Sequence, residues 1–88
     1  MRWRVEIDPR AERDLDRVPA KDRIRILEFL RDRVTAHPDP RALAKRLSGS
    51  KDELSRFRVG DYRLIVRFIG SRMVVLVVSI GNRRDVYR

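Results

Sequence analysis

The sequence predicts an α+β domain in the order β-α-α-β-β-β, with a helical hairpin packed on one face of a mainly antiparallel sheet. Three observations support this fold class. The chain opens with an alternating, strand-like segment, it continues with two segments whose apolar residues recur at helical spacing, and it ends with strand-like segments joined by glycine-led turns. With 88 residues in total, we expect residues 1–88 to form a single domain.

The first strand and the first helix follow each other directly. The segment RWRVEID alternates apolar and charged residues, which is typical of a strand with one buried face. Asp8 is a favoured N-cap residue and Pro9 is favoured in the first helical turn, so a helix is predicted from this point until Pro19. Its predicted buried residues are Ala11, Leu15 and Val18.

A second helix is predicted from about Ala20. It should end near His37, because a residue that precedes proline is disfavoured in the helical conformation. The apolar stripe predicted to face the sheet consists of Ile24, Leu27, Leu30 and Val34.

Three strands are predicted at about residues 54–59, 62–69 and 73–80. We expect Gly60-Asp61 and Gly70-Ser71 to be two-residue turns that join these strands as hairpins. The third strand, MVVLVVSI, is apolar on both sides, so we expect it inside the sheet rather than at an edge. The final segment, GNRRDVYR, predicts a loop and a short edge strand.

The turn at Gly60-Asp61 determines which residues share a face of the sheet. It places Arg58 opposite Arg63 and Arg56 opposite Ile65, and opposite residues point to the same side. The predicted core face is Phe57, Val59, Tyr62, Leu64, Val66 and Phe68. The predicted outer face is Leu54, Arg56, Arg58, Arg63, Ile65 and Arg67, together with Val74, Leu76 and Val78 from the next strand.

Positive charge is concentrated in the second half of the chain. The net charge is +9; residues 1–44 contain 11 basic and 9 acidic residues, whereas residues 45–88 contain 11 and 4. Of the 22 basic residues 19 are arginine, whose forked guanidinium suits bidentate contact with phosphate. This distribution indicates nucleic acid or an acidic protein as the partner.

The arginines of the outer face need an explanation, because like charges directly opposite one another destabilise a sheet. One explanation is an anion site, since several forked donors on one face bind phosphate well. Arg56 and Arg63 should then both be exposed, and loss of the charge at Arg63 should leave the stability unchanged or slightly higher. The alternative is structural, with Arg58 or Arg63 paired with Asp61 or Asp85.

Several classes of site are disfavoured by residue content. The chain has no cysteine and one histidine, His37, so it has neither a disulfide nor a recognisable zinc site. No Walker, GxGxxG or EF-hand pattern is present, and the pairs Asp14/Asp16 and Asp52/Glu53 are expected to be solvated charges. We therefore expect no cofactor and no metal.

The sequence also gives no sign of membrane insertion. Its start, MRWRVEID, is too charged for a signal peptide, and its longest apolar run, MVVLVVSI, is too short to span a bilayer. We expect a cytoplasmic protein with no membrane partner, which the lack of cysteine also fits.

The motifs as a set resemble a known family. The helical pattern A..DL..V, the hairpin RFRVGDYRLI and the ending VVLVVSIGNRRDVY together resemble the RelE/ParE superfamily of toxins from toxin–antitoxin modules, and in particular its RelE-like branch. The resemblance implies a RelE-like fold and a ribosome-dependent messenger-RNA endonuclease that inhibits translation. It also implies three partners: a cognate acidic antitoxin, the ribosome and messenger RNA.

The resemblance assigns a catalytic role to four residues. The basic residues of the middle strands fall on Arg56 and Arg63, the arginine after the last glycine falls on Arg83, and the tyrosine near the end falls on Tyr87. A further lysine of the family falls on Leu54, so this position cannot supply a base here. The neighbouring residues expected to bind RNA phosphates are Lys45, Arg46, Lys51, Arg58 and Arg84.

These residues suit a metal-free cleavage in which the RNA 2′-OH attacks the adjacent phosphate. Arginine remains protonated and stabilises the added negative charge, but it is a poor base. Tyr87 is then the candidate base by elimination, because neighbouring guanidinium groups favour its phenolate form. In the alternative, Tyr87 packs against the protein or stacks on an RNA base.

Two other functions are compatible with the same fold. ParE-like members of the superfamily poison DNA gyrase by binding it, and such a protein would not need the four residues assigned above. A non-catalytic RNA- or DNA-binding module would bind in a salt-sensitive way and leave the nucleic acid intact.

Overall fold

The computed structural model describes residues 2–49 and 53–82, which form two α-helices and five strands. The helices are α1, Pro9–Asp16, and α2, Ala20–Phe29, which continues into a π-helical turn at Leu30–Val34. The strands are β1 (Arg4–Ile7), β2 (Lys45–Arg46), β3 (Ser55–Val59), β4 (Tyr62–Ile69) and β5 (Val74–Asn82). In these two ranges, no helix is long and apolar enough to cross a membrane.

The strands form one sheet in the order β1-β5-β4-β3-β2. β1 runs parallel to β5, and the other neighbouring pairs are antiparallel. This arrangement confirms the predicted α+β class and places the apolar strand β5 between two other strands, as expected. The sequence analysis did not predict β2. The predicted closing edge strand falls on residues 83–88, outside the described ranges.

The start of α1 follows from its first residues. Asp8 Oδ1 accepts a hydrogen bond from the Arg10 N–H at 2.9 Å, and Pro9 occupies the first turn, as predicted. Near the other end of the helix, Arg23 Nη2 of α2 donates to the Val18 carbonyl at 3.2 Å. This hydrogen bond links the second helix to the end of the first and closes the hairpin.

The hydrophobic core lies between the helices and one face of the sheet. Phe57 is fully buried, and its ring packs against those of Phe29 and Phe68 at centroid distances of 5.4 and 6.0 Å. The predicted core face is confirmed, with Phe57, Val59, Leu64 and Val66 buried and Tyr62 and Phe68 packed against them. The helices and the π-helical turn contribute Ala11, Leu15, Val18, Ile26, Leu30 and Val34.

The predicted buried stripe of the second helix was partly wrong. The buried row is Ile26, Leu30 and Val34, whereas Ile24 and Leu27 are 57% and 42% exposed. Residues four apart lie on one side of a helix, so helical spacing fits the observed buried row as well as it fits the predicted one. The aromatic contact between this helix and β3 favours the observed rotation, which helical spacing alone does not determine.

The hairpin of β3 and β4 has the predicted register. Gly60 has a φ of 58°, the positive value that a two-residue hairpin turn requires of its first residue. Arg58 lies opposite Arg63, and Arg56 lies opposite Ile65. The local chemistry of the turn was therefore sufficient to predict which side chains share a face.

The connection between β4 and β5 differs from the prediction. Gly70-Ser71 is not a two-residue turn, because Ile69 lies opposite Val74 and the loop contains four residues. Gly70–Arg72 forms a 3₁₀ turn, and Met73 closes it with a φ of 52°. The third predicted strand thus begins at residue 74.

A β-bulge interrupts the pairing of β4 with β5. Ile65 lies opposite Ser79 and Val66 lies opposite Val77, so Val78 has no counterpart on β4. The alternation of β5 shifts by one residue at this point. Ser79 therefore takes the place on the outer face that the sequence analysis gave to Val78.

Polar contacts anchor the segment between the second helix and β2. His37 Nδ1 accepts a hydrogen bond from the Asp39 N–H at 2.9 Å. Arg41 Nε donates to Asp39 Oδ1 at 2.8 Å, and this hydrogen bond lowers the pKa of the Asp39 carboxyl. The Arg41 guanidinium also lies 5.4 Å from the centre of the Trp3 ring. These contacts fix the backbone that leads to Lys45.

Replacing Gly60 with Ala should lower the free energy of unfolding by about 1–2 kcal/mol, because residues with a Cβ atom are disfavoured at positive φ. The added Cβ would lie 3.2 Å from Arg25 Nη1, the flexible end of a side chain that can move. Urea denaturation measures the loss. Gly70→Ala is the control, because Gly70 has no positive φ and a Cβ added there would lie 3.8 Å from its nearest neighbour, Arg41 Nη1. Equal losses in both variants would contradict the strain argument.

Candidate nucleic-acid interface

The face of the sheet opposite the helices, here called the open face, carries a basic cluster of Lys45, Arg56, Arg58 and Arg63. Two rows across the strands build it: Lys45 of β2 lies opposite Arg56, and Arg58 lies opposite Arg63. Neighbouring strands are about 4.8 Å apart, and residues two apart on one strand are separated by about 7 Å. The backbone positions of the cluster therefore lie within about 5–7 Å of their neighbours.

The cluster is less uniformly exposed than predicted. Arg58 is exposed, but Arg56 is half-buried and Arg63 is buried, with 6% of its surface accessible. Arg63 lies on the interior strand β4, with Arg58 on one side and Gly81 of β5 on the other. Arg63 also has an interaction partner in the folded protein, so it is not a free charge. The prediction that Arg63 is exposed was therefore wrong: unlike Arg58, it lies on an interior strand of the sheet and is buried.

Arg58 is accessible from the edge of the sheet. β2 pairs with Ser55 and Arg56, and in the described residues no strand continues alongside Arg58. Arg58 lines a cleft of about 420 Å³ at this edge, together with Arg25 and Arg33 and with the acidic residues Glu28 and Asp32 of the helical segment. The contribution of Arg25 and Arg33 was not predicted from the sequence, although their spacing of eight residues places them on one side of a helix.

One form of the structural alternative, an ion pair between Arg58 and Asp61, is tested by the structure. Among the described residues, no ion pair within 4.0 Å joins Arg58 to Asp61. Asp85, the other acidic partner considered, lies outside the described ranges.

Apolar side chains lie between the basic residues of the open face, as predicted. Ile65 and Leu76 are half-buried and accessible, whereas Val74, at 2% exposure, is buried and is not part of the accessible surface. Ile65 separates Arg63 from Arg67 along β4. A surface that combines guanidinium groups with apolar side chains suits both the phosphates and the bases of a single strand.

Arg46 does not belong to the basic cluster. It lies opposite Ser55, which is buried on the helix side of the sheet, and its Nη2 lies 3.2 Å from Glu53 Oε1 in an exposed ion pair. Of the predicted phosphate-binding residues, Lys45 and Arg58 are thus on the open face and Arg46 is not. Four predicted site residues lie outside the described ranges: Lys51, Arg83, Arg84 and Tyr87.

The described part of the cluster consists of cationic hydrogen-bond donors. Such groups stabilise negative charge on a phosphate, but a guanidinium does not accept a proton near neutral pH. Within residues 2–49 and 53–82, no group of three or more His, Cys, Asp or Glu side chains could hold a metal ion. The described part of the cluster can therefore stabilise negative charge, and its arginines do not supply a proton acceptor.

Comparison with models of protein families identifies the family. A model described as the ParE toxin of type II toxin–antitoxin systems, parDE, matches residues 5–87. The chain belongs to this toxin family. Membership confirms the resemblance to the RelE/ParE superfamily that the motifs suggested. A search of curated protein sequences finds no match.

Solved structures with the same fold include several RelE toxins. The archaeal RelE of the RelE–RelB complex from Pyrococcus horikoshii OT3 is 32% identical, with a TM-score of 0.74, over 94% of this chain and 97% of that one. A mutant of Escherichia coli RelE in the free state is 25% identical, with a TM-score of 0.73, over 99% and 92%. These matches confirm the predicted RelE-like fold, and the chain is a RelE-like toxin of a toxin–antitoxin system.

The toxin–antitoxin complex RelBE2 from Mycobacterium tuberculosis also shares the fold. It has a TM-score of 0.84 at 23% identity, over 94% of this chain and 100% of that one. The agreement in backbone at low identity indicates that the order and packing of the elements are retained while most side chains differ. Function therefore has to be argued from the residues of this chain.

Proposed function

We propose that this toxin is a ribosome-dependent endonuclease that cleaves messenger RNA and so inhibits translation. The observation that carries the proposal is the basic cluster, in which Arg58 and Arg63 lie directly opposite each other and next to Arg56. Several guanidinium groups gathered on one face of a sheet are favourable for binding a phosphate. The 32% identity to the archaeal RelE supports the same branch of the superfamily.

In the proposed reaction, the RNA 2′-oxygen attacks the adjacent phosphorus and the bond from phosphorus to the 5′-oxygen breaks. The products are a 2′,3′-cyclic phosphate and a 5′-hydroxyl. Tyr87, as phenolate, accepts the proton of the 2′-OH, and a proton from the phenol or from water goes to the leaving oxygen. Arg56, Arg63 and Arg83 stabilise the additional negative charge on the phosphate.

The ribosome has a physical role in this scheme. The described cluster has strong phosphate donors and no conventional acid–base pair, so much of the rate must come from the orientation of the message. A message held on the ribosome meets this requirement, whereas a free RNA strand does not. We accordingly propose messenger RNA and the ribosome as partners and the cytoplasm as the location.

A ParE-like function is the second candidate, because the matching family model is described as a ParE toxin. In that case the toxin would bind DNA gyrase and carry out no chemistry. One assay separates the candidates: purified toxin is added to message on ribosomes, to message alone and to gyrase with plasmid DNA. We expect cleavage in the first reaction only. Inhibited gyrase together with intact message would overturn the proposal.

We also propose that an acidic antitoxin binds the toxin with a dissociation constant in the nanomolar range or below and becomes ordered as it binds. The net charge of +9 and the cations of the open face should attract such a partner and speed its association. Stopped-flow measurements should therefore show that added salt lowers the association rate constant more than it raises the dissociation rate constant. An association rate that does not depend on salt would contradict this prediction.

A further inference from the structure

Only the first half of β5, Val74 to Val77, is paired with strands on both sides in the described residues. β1 pairs with β5 only as far as Ile7 opposite Val77, and the Asp8 N–H donates to the Val77 carbonyl at 2.9 Å as the chain leaves the sheet. The bulge at Val78 follows immediately. Within the described residues, the rest of β5 has β4 on one side and no strand on the other.

A side chain of α1 occupies this open edge. Asp14 Oδ2 accepts a hydrogen bond from the backbone N–H of Ile80 at 2.9 Å, in a partly buried position. Asp14 was expected from the sequence to be a solvated charge, and this was wrong because the bulge turns the Ile80 N–H toward the open edge, within reach of the carboxylate. The contact joins residues 66 positions apart in the sequence.

The position of Asp14 is not explained by the helix that carries it. Asp14 lies in the last turn of α1, where the helix dipole disfavours a negative charge. A hydrogen bond to a backbone N–H that would otherwise be unsatisfied offsets this unfavourable position, and the Ile80 N–H at the strand edge is such a donor.

The tethered residue lies next to the basic cluster. Ile80 itself faces the core opposite Leu64, while the next residue, Gly81, lies opposite Arg63 on the open face. The strand then ends at Asn82, and the next residue in the sequence is Arg83. A displacement of this end of β5 would therefore move the strand that flanks Arg63.

We propose that Asp14 is a positioning residue, which holds the end of β5 in register beside Arg63 through its hydrogen bond to Ile80. The effect on cleavage rests on the proposed function, whereas the tether itself does not. Asp14 contacts neither RNA nor ribosome in this scheme and acts through the strand.

Three variants test the proposal. Asp14→Ala removes the acceptor and the charge, Asp14→Asn removes the charge but keeps an oxygen acceptor, and Asp16→Ala removes a charge from an exposed site on the same helix. We expect Asp14→Ala to speed hydrogen exchange of the Ile80 amide about tenfold or more, since its partner is lost. We also expect a fall of about tenfold or more in the cleavage rate at saturating ribosomes, because small displacements of catalytic groups are costly. The ribosome concentration at half-saturation should not change.

The Asp14→Asn variant distinguishes the effect of the hydrogen bond to Ile80 from the effect of the negative charge of Asp14. Asp14→Asn should stay within about threefold of the wild-type rate, since a neutral acceptor is weaker but still present. Asp16→Ala should match the wild type. Unchanged Ile80 exchange in Asp14→Ala would overturn the proposal, and so would wild-type cleavage by that variant. A wild-type toxin that leaves message intact, with faster Ile80 exchange in Asp14→Ala, would contradict the proposed function and support the tether.

Discussion

Replacing Arg63 with Gln should lower the single-turnover rate of message cleavage on the ribosome by about 10²–10³-fold, the usual effect of losing one preorganised donor to a developing negative charge. Glutamine is a polar hydrogen-bonding residue but is shorter, carries no charge and lacks the guanidinium fork. Arg67→Gln is the matched control, because Arg67 lies on the same strand and face, opposite Leu76 and away from the basic cluster. It should change the rate by less than about tenfold.

The burial of Arg63 changes the expectation for stability. Relief of the like-charge contact with Arg58 would have raised stability slightly, but a side chain that is 6% exposed also contributes contacts that Gln only partly replaces. We therefore expect Arg63→Gln to lower the free energy of unfolding by about 1–3 kcal/mol. Rates should accordingly be normalised to folded protein. A folded fraction that cleaves at the wild-type rate would show that Arg63 is structural.

Replacing Tyr87 with Phe should lower the single-turnover rate by about 10²-fold, because a positioned proton acceptor contributes at least this much. Ribosome binding should not change, since phenylalanine keeps the ring. The result separates the two roles considered for Tyr87: a ring that only packs or stacks on a base would work equally well without its hydroxyl. Tyr62→Phe is the control, because Tyr62 packs against the core on the helix side of the sheet. Full activity of Tyr87→Phe would exclude the phenol as the base.

The parts of the fold that depend on local chemistry could be predicted from the sequence. Asp8 and Pro9 predicted the start of α1, and the Gly60 turn predicted the pairing of Arg58 with Arg63. In both cases a few adjacent residues determine the geometry. The alternation of apolar and basic residues then gave the two faces of the sheet.

The parts that depend on distant neighbours could not be predicted. Ile24 and Ile26 both fit a helical stripe, and only the packing of the helix on β3 decides between them. The bulge at Val78 and the burial of Arg63 depend on how β5 pairs with β4.

The candidate site, too, has parts that follow from local sequence and parts that depend on distant neighbours. The alternation of residues was sufficient to place Arg56, Arg58 and Arg63 on one face. The contribution of Arg25 to the cleft beside Arg58 and the contact of Asp14 with β5 both arise from helices packed against distant strands. Such contacts follow from tertiary packing, which no local pattern in the sequence specifies.

The central claim, an attack by the RNA 2′-OH on a phosphate held by arginines, is tested most directly with a message that carries a single 2′-deoxy nucleotide at the mapped cleavage position. Toxin and ribosomes are mixed with this message and with the unmodified one, and the new ends are identified chemically. We predict that the unmodified message yields a 2′,3′-cyclic phosphate and a 5′-hydroxyl and that the 2′-deoxy message stays intact at that position. Cleavage of the 2′-deoxy message, or ends with a 5′-phosphate, would contradict the account.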